Sequence, residues 1–185
     1  MTCEATLNRD LPISDASDTA RLRAGDPAAL AQLVHRYQHR LYRYFVRVVR
    51  DPAAADDLFQ QTWLNVVRRI RSYDPDRSFD TWLFSIAHNV AIDLLRRRPA
   101  ESLDDRDFAA SVAGPLETVL AGERKAQLAA ALEQLPALYR EALSLRFEEG
   151  MKLEEIADVI HAPLSTVKSR VHRGLEALRS IYVRP

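Results

Sequence analysis

The sequence has little of several residue types that specialised folds require. It contains one cysteine, Cys3, and no uninterrupted run of the roughly 18 apolar residues that a membrane span needs. A single cysteine excludes an internal disulfide and a zinc site built from cysteines, and it is compatible with a reducing cytosol. Residues 1–17 lack an apolar stretch and carry acidic side chains, so we expect a disordered tail rather than a secretory signal. These absences favour a cytoplasmic protein that is not inserted in a membrane.

The chain also lacks a net charge, since 26 Lys and Arg residues balance 26 Asp and Glu residues. Non-specific affinity for DNA comes mostly from neutralised phosphates, so a neutral chain should bind DNA weakly by itself. A DNA-binding function therefore needs basic charge that is concentrated locally, or a partner that holds the protein on DNA.

The sequence shows no strand-like alternation and no internal repeat, whereas signals for helix starts are frequent. Asp26-Pro27 and Asp51-Pro52 each place a capping carboxylate before a proline at the first helical position. Apolar residues at helical spacing follow both pairs. We predict helices around Thr19–Ala24, from Pro27, from Pro52, and over Asp80–Arg97, Leu116–Leu135, Pro136–Glu148, Leu153–Ile160 and Pro163–Ile181.

One segment has the composition of a linker. Residues 99–115 are acidic, show little periodicity and end in Gly114-Pro115. The predicted fold is therefore all-α, with two small helical domains at 18–98 and 116–185. The acidic, flexible linker 99–115 joins them, and the tail 1–17 precedes them.

The second domain ends in a predicted helix-turn-helix, Leu153–Arg179. On a helical wheel, the apolar residues of its second helix fall on one side and the polar residues fall on the other. The second helix is basic, whereas the helix before it is acidic. Such a helix suits major-groove reading, although a helical hairpin with a solvated basic face is the alternative. The apolar side carries Leu164, Val167, Val171, Leu175 and Leu178. The opposite side carries Ser165, Ser169, His172, Arg173 and Glu176, with Thr166 and Lys168 on the flanks.

Two blocks of the chain resemble one known family. Leu132–Arg179 resembles region four of the extracytoplasmic-function (ECF) sigma factors of bacterial RNA polymerase, and Asp57–Arg97, which includes SFDTWLFSIAHNVAIDLLRR, resembles region two. The resemblance implies a sigma factor that binds core polymerase and directs promoter recognition, DNA opening and transcription initiation at a specific regulon. It implies neither an enzyme nor a cofactor.

The resemblance also assigns DNA contacts. Region four would place Lys168, Ser169, His172 and Arg173 against bases of the minus-thirty-five element, with Ser165 and Thr166 on the backbone. Region two would hold an unpaired minus-ten base with Tyr73, Asp76, Ser78, Phe79 and Asn89. Two assignments stay open: Trp82 could separate strands or pack in the core, and Arg96 and Arg97 could bind phosphates or complement the helix dipole. Lys152, His161, Ser165 and Ser85 depart from residues common in the family, which leaves the base preference undetermined.

The partners implied are the clamp of the largest polymerase subunit, the flap of the second subunit, promoter DNA and an anti-sigma factor that no residue here identifies. The clamp surface would comprise Asp56, Asp57, Gln60, Gln61 and Leu64, with Leu58 packed beneath; a solvated helix face is the alternative. The linker would thread toward the RNA exit path or act as a plain tether.

Two other functional classes fit the sequence less well. A stand-alone transcription regulator could carry a similar helix-turn-helix, but residues 18–97 lack the strand alternation of a receiver domain. An enzyme lacks support because there is no Gly-rich phosphate loop. His35 and His39 have the spacing of a metal pair but no third ligand, so surface histidines are the better interpretation.

Overall fold

The computed structural model describes residues 12–97 and 122–182, and the predicted linker lies outside them. These residues form helices and no strand, which confirms the all-α prediction. Within the same ranges, no helix has the length and apolar character to cross a membrane. The first domain contains α1 (Pro12–Arg23), α2 (Pro27–Val49), α3 (Pro52–Arg69), a 3₁₀ turn (Ile70–Ser72) and α4 (Phe79–Arg97). The second contains α5 (Gly122–Glu133), α6 (Ala137–Leu143), a π-helical segment (Ser144–Glu148), α7 (Leu153–Val159) and α8 (Leu164–Tyr182).

The two predicted proline-led helix starts are capped as expected. The Asp26 carboxylate accepts a hydrogen bond from the Ala28 N–H at 2.9 Å. The Asp51 carboxylate accepts from the N–H groups of Ala53 and Ala54 at 3.0 and 3.1 Å. Caps of this kind each contribute about 1 kcal/mol, and they fix where α2 and α3 begin.

The first helix begins earlier than the predicted Thr19. Residues 12–17, assigned by the sequence to a disordered tail, belong to α1. Asp15 forms an ion pair with Arg36 and accepts a hydrogen bond from the Tyr37 hydroxyl at 2.7 Å, and Asp18 lies 2.8 Å from Arg36. These contacts with α2 stabilise a segment whose own sequence has no strong helical pattern.

Aromatic packing organises the core of the first domain. The rings of Tyr44 and Phe84 meet edge to face with centroids 5.4 Å apart, and Tyr37 meets Phe79 in the same way at 5.5 Å. Full burial of a large apolar side chain contributes about 1.5–3 kcal/mol. The fully buried side chains of this domain include Leu33, Tyr37, Leu41, Tyr44, Phe45, Leu83, Phe84 and Leu95.

A glycine sets the packing of the second domain. Gly174 lies in the middle of α8, where a glycine normally weakens a helix. A Cβ atom there would stand 3.2 Å from the Leu143 side chain of α6. Gly174 therefore allows α6 and α8 to approach closely, and Leu135, Tyr139 and Leu143 form the buried centre of this domain.

The two domains pack directly against each other. Helix α6 lies on α2, and α7 lies on α4. One cluster of buried side chains runs from the first domain into Leu145, Ile156 and Val159 of the second. The sequence predicted two domains on a tether and did not predict this contact, which we call the domain seam.

Candidate nucleic-acid and polymerase interfaces

The helix-turn-helix is formed by α7 and α8. Ile156, Val159 and Val167 are fully buried between the two helices. Lys152, at the start of α7, makes no side-chain cap; instead the Glu155 carboxylate accepts from the Lys152 N–H at 2.7 Å. His161, in the turn, has a φ of 51°, in the left-handed region that favours glycine. The two departures from the family pattern noted above are thus accommodated locally.

The predicted reading face of α8 points to solvent. Ser165, Lys168, His172 and Arg173 are exposed, and Thr166 and Ser169 are half-buried. The His172 Nε2 lies 3.4 Å from the Glu176 carboxylate, with both side chains largely exposed. An exposed pair of this kind contributes little, so it does not hold His172 away from an approaching duplex.

The loop before α4 has the opposite character. The rings of Tyr73, Phe79 and Trp82 pack together, with centroids 5.5 Å apart for Tyr73 and Phe79, 5.1 Å for Tyr73 and Trp82, and 5.7 Å for Phe79 and Trp82. Tyr73 and Phe79 are buried, and Trp82 is half-buried. The Tyr73 hydroxyl donates to the Arg77 carbonyl at 2.7 Å and closes the loop. Two aromatic rings predicted to touch a base therefore support the loop from inside.

The polar residues predicted for the minus-ten site remain accessible. Asp76, Ser78 and Asn89 are exposed, as are Arg96 and Arg97 at the end of α4. The Ser78 hydroxyl oxygen accepts from the Thr81 N–H at 3.4 Å at the start of α4. The Ser85 hydroxyl donates to the Trp82 carbonyl at 2.7 Å. Ser85 thus turns inward along its own helix.

A cleft lies between this loop and α7. Ser78 and Trp82 line one wall, and Asp158 and His161 of the helix-turn-helix line the other. The loop before α4 therefore meets α7 and the turn of the helix-turn-helix at this cleft, whereas the predicted reading face of α8 does not line it.

The predicted clamp surface on α3 has the expected exposure. Asp56, Asp57, Gln60 and Gln61 are exposed, and Leu58 is buried beneath them at 6% exposure. Leu64 is 52% exposed, and Val67, one turn further along, is 46% exposed. Sequence analysis missed Val67, although its spacing of three residues from Leu64 placed both on one face.

The second domain carries an apolar groove that sequence analysis also missed. Leu128 of α5, Phe147 of the π-helical segment and Leu175 of α8 line it, and all three are unusually exposed for large apolar residues. Phe147 is 61% exposed. The wheel of α8 assigned Leu175 to an inward side, but no described residue covers this part of that side. An exposed apolar groove of this kind is a candidate contact site.

Comparison with known proteins first defines the class. Residues 33–100 match the family described as Sigma-70 region 2, and residues 125–178 match the family described as Sigma-70, region 4. Together these matches cover more than half of the chain. They coincide with the two helical domains, so the protein is a two-domain member of the sigma-70 family.

Comparison with individual relatives identifies the subgroup of the sigma-70 family. The chain is 35% identical over 170 residues to the RNA polymerase sigma-H factor of Pseudomonas aeruginosa, covering 85% of this chain and 88% of that protein. It is 30% identical over 171 residues to the ECF RNA polymerase sigma factor SigW of Bacillus subtilis, covering 86% and 91%. The structure of CnrH in complex with the cytosolic domain of CnrY superimposes with a TM-score of 0.68 at 27% identity, covering 90% and 96%. The chain belongs to the ECF sigma factors, which bind core RNA polymerase and direct promoter recognition, DNA opening and initiation.

Proposed function

We propose that this sigma factor reads the minus-thirty-five element with the exposed face of α8. The observation that carries the proposal is the set of polar side chains that projects from one side of a helix anchored on the other. Lys168, His172 and Arg173 can donate hydrogen bonds to base edges in the major groove. Ser165 and Thr166 lie in the first turn of α8, where free backbone amides suit phosphate.

For the minus-ten element, we propose that different residues of the first domain bind the base, hold the loop and contact the phosphates. The exposed Asn89, Ser78 and Asp76 supply hydrogen-bonding groups to an unpaired base. Tyr73 and Phe79 hold the loop in place, and the free side of Trp82 is the surface for stacking. Arg96 and Arg97 extend the same helix with positive charge that suits the adjoining phosphates.

Two further surfaces are proposed to hold polymerase. The outer face of α3, with Asp57, Gln61 and the apolar Leu64 and Val67, is the candidate for the clamp of the largest subunit. The groove around Phe147 is the candidate for an apolar helix of the flap. Phe147 belongs to a π-helical segment, a geometry frequent at functional sites, and its side chain is 61% exposed.

The remaining assignments rest on the family. We propose the domain limits 18–98 and 116–185 with linker 99–115, action in the cytoplasm beside polymerase, and no catalysis by the chain itself. CnrH was solved with the cytosolic domain of CnrY. By analogy, an anti-sigma factor is proposed as the regulator of this protein.

Run-off transcription with core enzyme, with and without the protein, across a genomic promoter library tests the function as a whole. We expect a discrete set of promoters to become active only when both are present. If no promoter responds and the isolated protein binds a duplex site tightly, the protein acts as a stand-alone regulator.

The polymerase surfaces are tested by two variants. Asp57→Ala with Gln61→Ala should weaken core binding by about 1–2 kcal/mol while the fold stays intact, because both side chains are exposed. Phe147→Ser should weaken it by a similar amount through the flap. Fluorescence anisotropy against core enzyme measures both, and Asp93→Ala, an exposed carboxylate on α4, is the control. Unchanged affinity refutes the surface concerned.

A further inference from the structure

Helix α1 is linked to the loop before α4 through one carboxylate. Asp15, in the first turn of α1, is 16% exposed and accepts a hydrogen bond from the Tyr37 hydroxyl at 2.7 Å. The Tyr37 ring is buried and meets the Phe79 ring edge to face at 5.5 Å. Phe79 packs in turn on Tyr73 and Trp82. A continuous series of contacts therefore runs from α1 to the proposed minus-ten site.

The charge of the same carboxylate acts on two tyrosine hydroxyls. Burial and, after it, the negative charge of Asp15 raise the pKa of the Tyr73 hydroxyl. Burial also raises the pKa of the Tyr37 hydroxyl, followed by the charges of Asp80, in the first turn of α4, and Asp15. Both tyrosine rings pack on Phe79, so Asp15 lies close to the aromatic rings that support the loop from inside.

A second contact joins the other end of α1 to the loop. The Arg23 guanidinium, in the last turn of α1, lies 3.5 Å from the Tyr73 carbonyl oxygen. Helix α1 also lies against the 3₁₀ turn that precedes the loop. The first and the last turn of α1 therefore both act on Tyr73, one through the charge near its hydroxyl and the other through its carbonyl.

Other residues attach α1 to the rest of the first domain, so the Asp15 carboxylate is not needed for that purpose. Thr19 and Leu22 are buried. The Arg21 guanidinium donates to the Asp26 carboxylate at 2.6 Å, at the start of α2. We therefore expect α1 to stay folded on α2 when Asp15 is replaced.

We propose that Asp15, acting through Tyr37, is a positioning residue for the minus-ten site. In this role Asp15 contacts no base; it holds the Tyr37 ring against Phe79, and Phe79 holds the loop that carries Ser78. Binding groups have to be kept within about 0.5 Å of the productive geometry, so loss of this support impairs promoter opening without unfolding the domain. The role rests on the proposed minus-ten function of the loop, and it gives a part of the predicted disordered tail a function in initiation.

The test uses the full chain in holoenzyme with core polymerase and a promoter selected by run-off transcription. The probe is 2-aminopurine in the non-template strand of the minus-ten element, whose fluorescence rises when the base unstacks. Asp15→Ala should slow this rise by about fivefold, the effect of one lost hydrogen bond. Asp15→Asn keeps an oxygen that accepts from Tyr37 and should retain most of the parent rate. Ser17→Ala, at an exposed position of α1, is the matched control and should open promoters at the parent rate.

Minus-ten preference gives the second readout, measured as the ratio of opening rates on the selected promoter and on a variant with one minus-ten base changed. Asp15→Ala should reduce this ratio while affinity for core polymerase stays unchanged. A loss of folded protein alone would lower the amount of holoenzyme and leave the ratio as it is. An unchanged ratio and an unchanged opening rate in folded Asp15→Ala overturn the proposal.

Tyr37→Phe tests the path through the hydroxyl, and it also covers the case in which Asp15→Ala fails to fold. It should reproduce the loss in rate and preference, and the double variant should open no more slowly than Asp15→Ala alone, because the two side chains act through one contact. Additive losses overturn the path through Tyr37.

Asn89→Ala, measured in the same assay, distinguishes this proposal from the proposed minus-ten site itself. If Asn89→Ala changes the preference and Asp15→Ala does not, the minus-ten site stands and the role of Asp15 is refuted. If neither variant changes it, both are refuted.

Discussion

The two proposed DNA-reading regions of this protein are built on opposite principles. Helix α8 buries Val167 against α7 and leaves its polar residues in solvent. The loop before α4 turns Tyr73 and Phe79 inward and leaves mainly polar groups outside. A duplex presents its base edges in an open groove, so the side chains that bind them must project from the protein surface. An unpaired base is bound in a pocket, so the protein must form the sides of that pocket. Here buried aromatic rings support the loop that would form them.

On α8, different residues serve folding and DNA recognition, whereas in the loop before α4 the same residues serve both. On α8, the residues that would contact bases contribute little to folding, because they are exposed and weakly paired. At the junction of the loop with α4, Phe79 contacts Tyr37, Tyr73 and Trp82 at once. A substitution there changes the core and the candidate site together.

The largest effect is expected for Phe79→Ala. The side chain is 4% exposed, and loss of a buried phenylalanine costs about 3–5 kcal/mol. We expect a loss of this size in the free energy of unfolding, measured with urea, together with a loss of promoter opening. Asn89→Ala, an exposed neighbour on α4, should alter stability by no more than about 0.5 kcal/mol while it relaxes minus-ten preference. If Phe79→Ala impaired opening without lowering stability, the ring would be a free stacking surface and the contrast would fail.

An intermediate effect is expected for Arg173→Ala on α8. The guanidinium is exposed, so the free energy of unfolding should stay within about 0.5 kcal/mol of the parent. Holoenzyme binding should weaken by about 1–3 kcal/mol and lose its preference at one upstream base pair. Binding to a library of minus-thirty-five variants measures both quantities, with Arg179→Ala, which removes an exposed guanidinium outside the proposed contacts, as the control on the same helix. Equal weakening on every sequence would make Arg173 a phosphate contact.

Much of this architecture follows from local signals. The Asp-Pro pairs located the starts of α2 and α3, because a capping carboxylate and a proline act within a few residues of each other. The exposure of the α8 face and the burial of Leu58 follow from helical periodicity in the same way. Sequence reasoning succeeded where the deciding contact was nearby in the chain.

The features that were missed depend on distant contacts. Tyr44 and Glu141 are 97 residues apart, and neither sequence context indicates that the other is its partner. The same holds for Glu149 and Arg40, which are 109 residues apart. The groove around Phe147 is formed between three elements, α5, the π-helical segment and α8. The helical wheel of one helix cannot predict such a groove. Helix α1 extends to Pro12 because of Arg36 on another helix.

The smallest effect concerns pH and again contrasts the two regions. Burial, and then the charges of Asp15, Asp74 and Asp80, raise the pKa of the Tyr73 hydroxyl above its usual value of 10.0. A raised pKa means that the folded loop favours the protonated phenol, whose stabilising effect is complete below pH 10 and is lost as pH rises from about 10 toward the folded value. The reading face of α8 carries no tyrosine, so it has no corresponding ionisation in this pH range. The Tyr73→Phe variant has no hydroxyl to ionise at this position, so it should lose less stability than the parent chain as pH rises from about 10 to about 12, as measured by urea unfolding. Because Tyr37 and Tyr44 also have raised pKa values, both proteins should weaken, and only the difference between them reports on the loop. Parallel stability profiles for the two proteins would mean that the Tyr73 hydroxyl does not fix the loop.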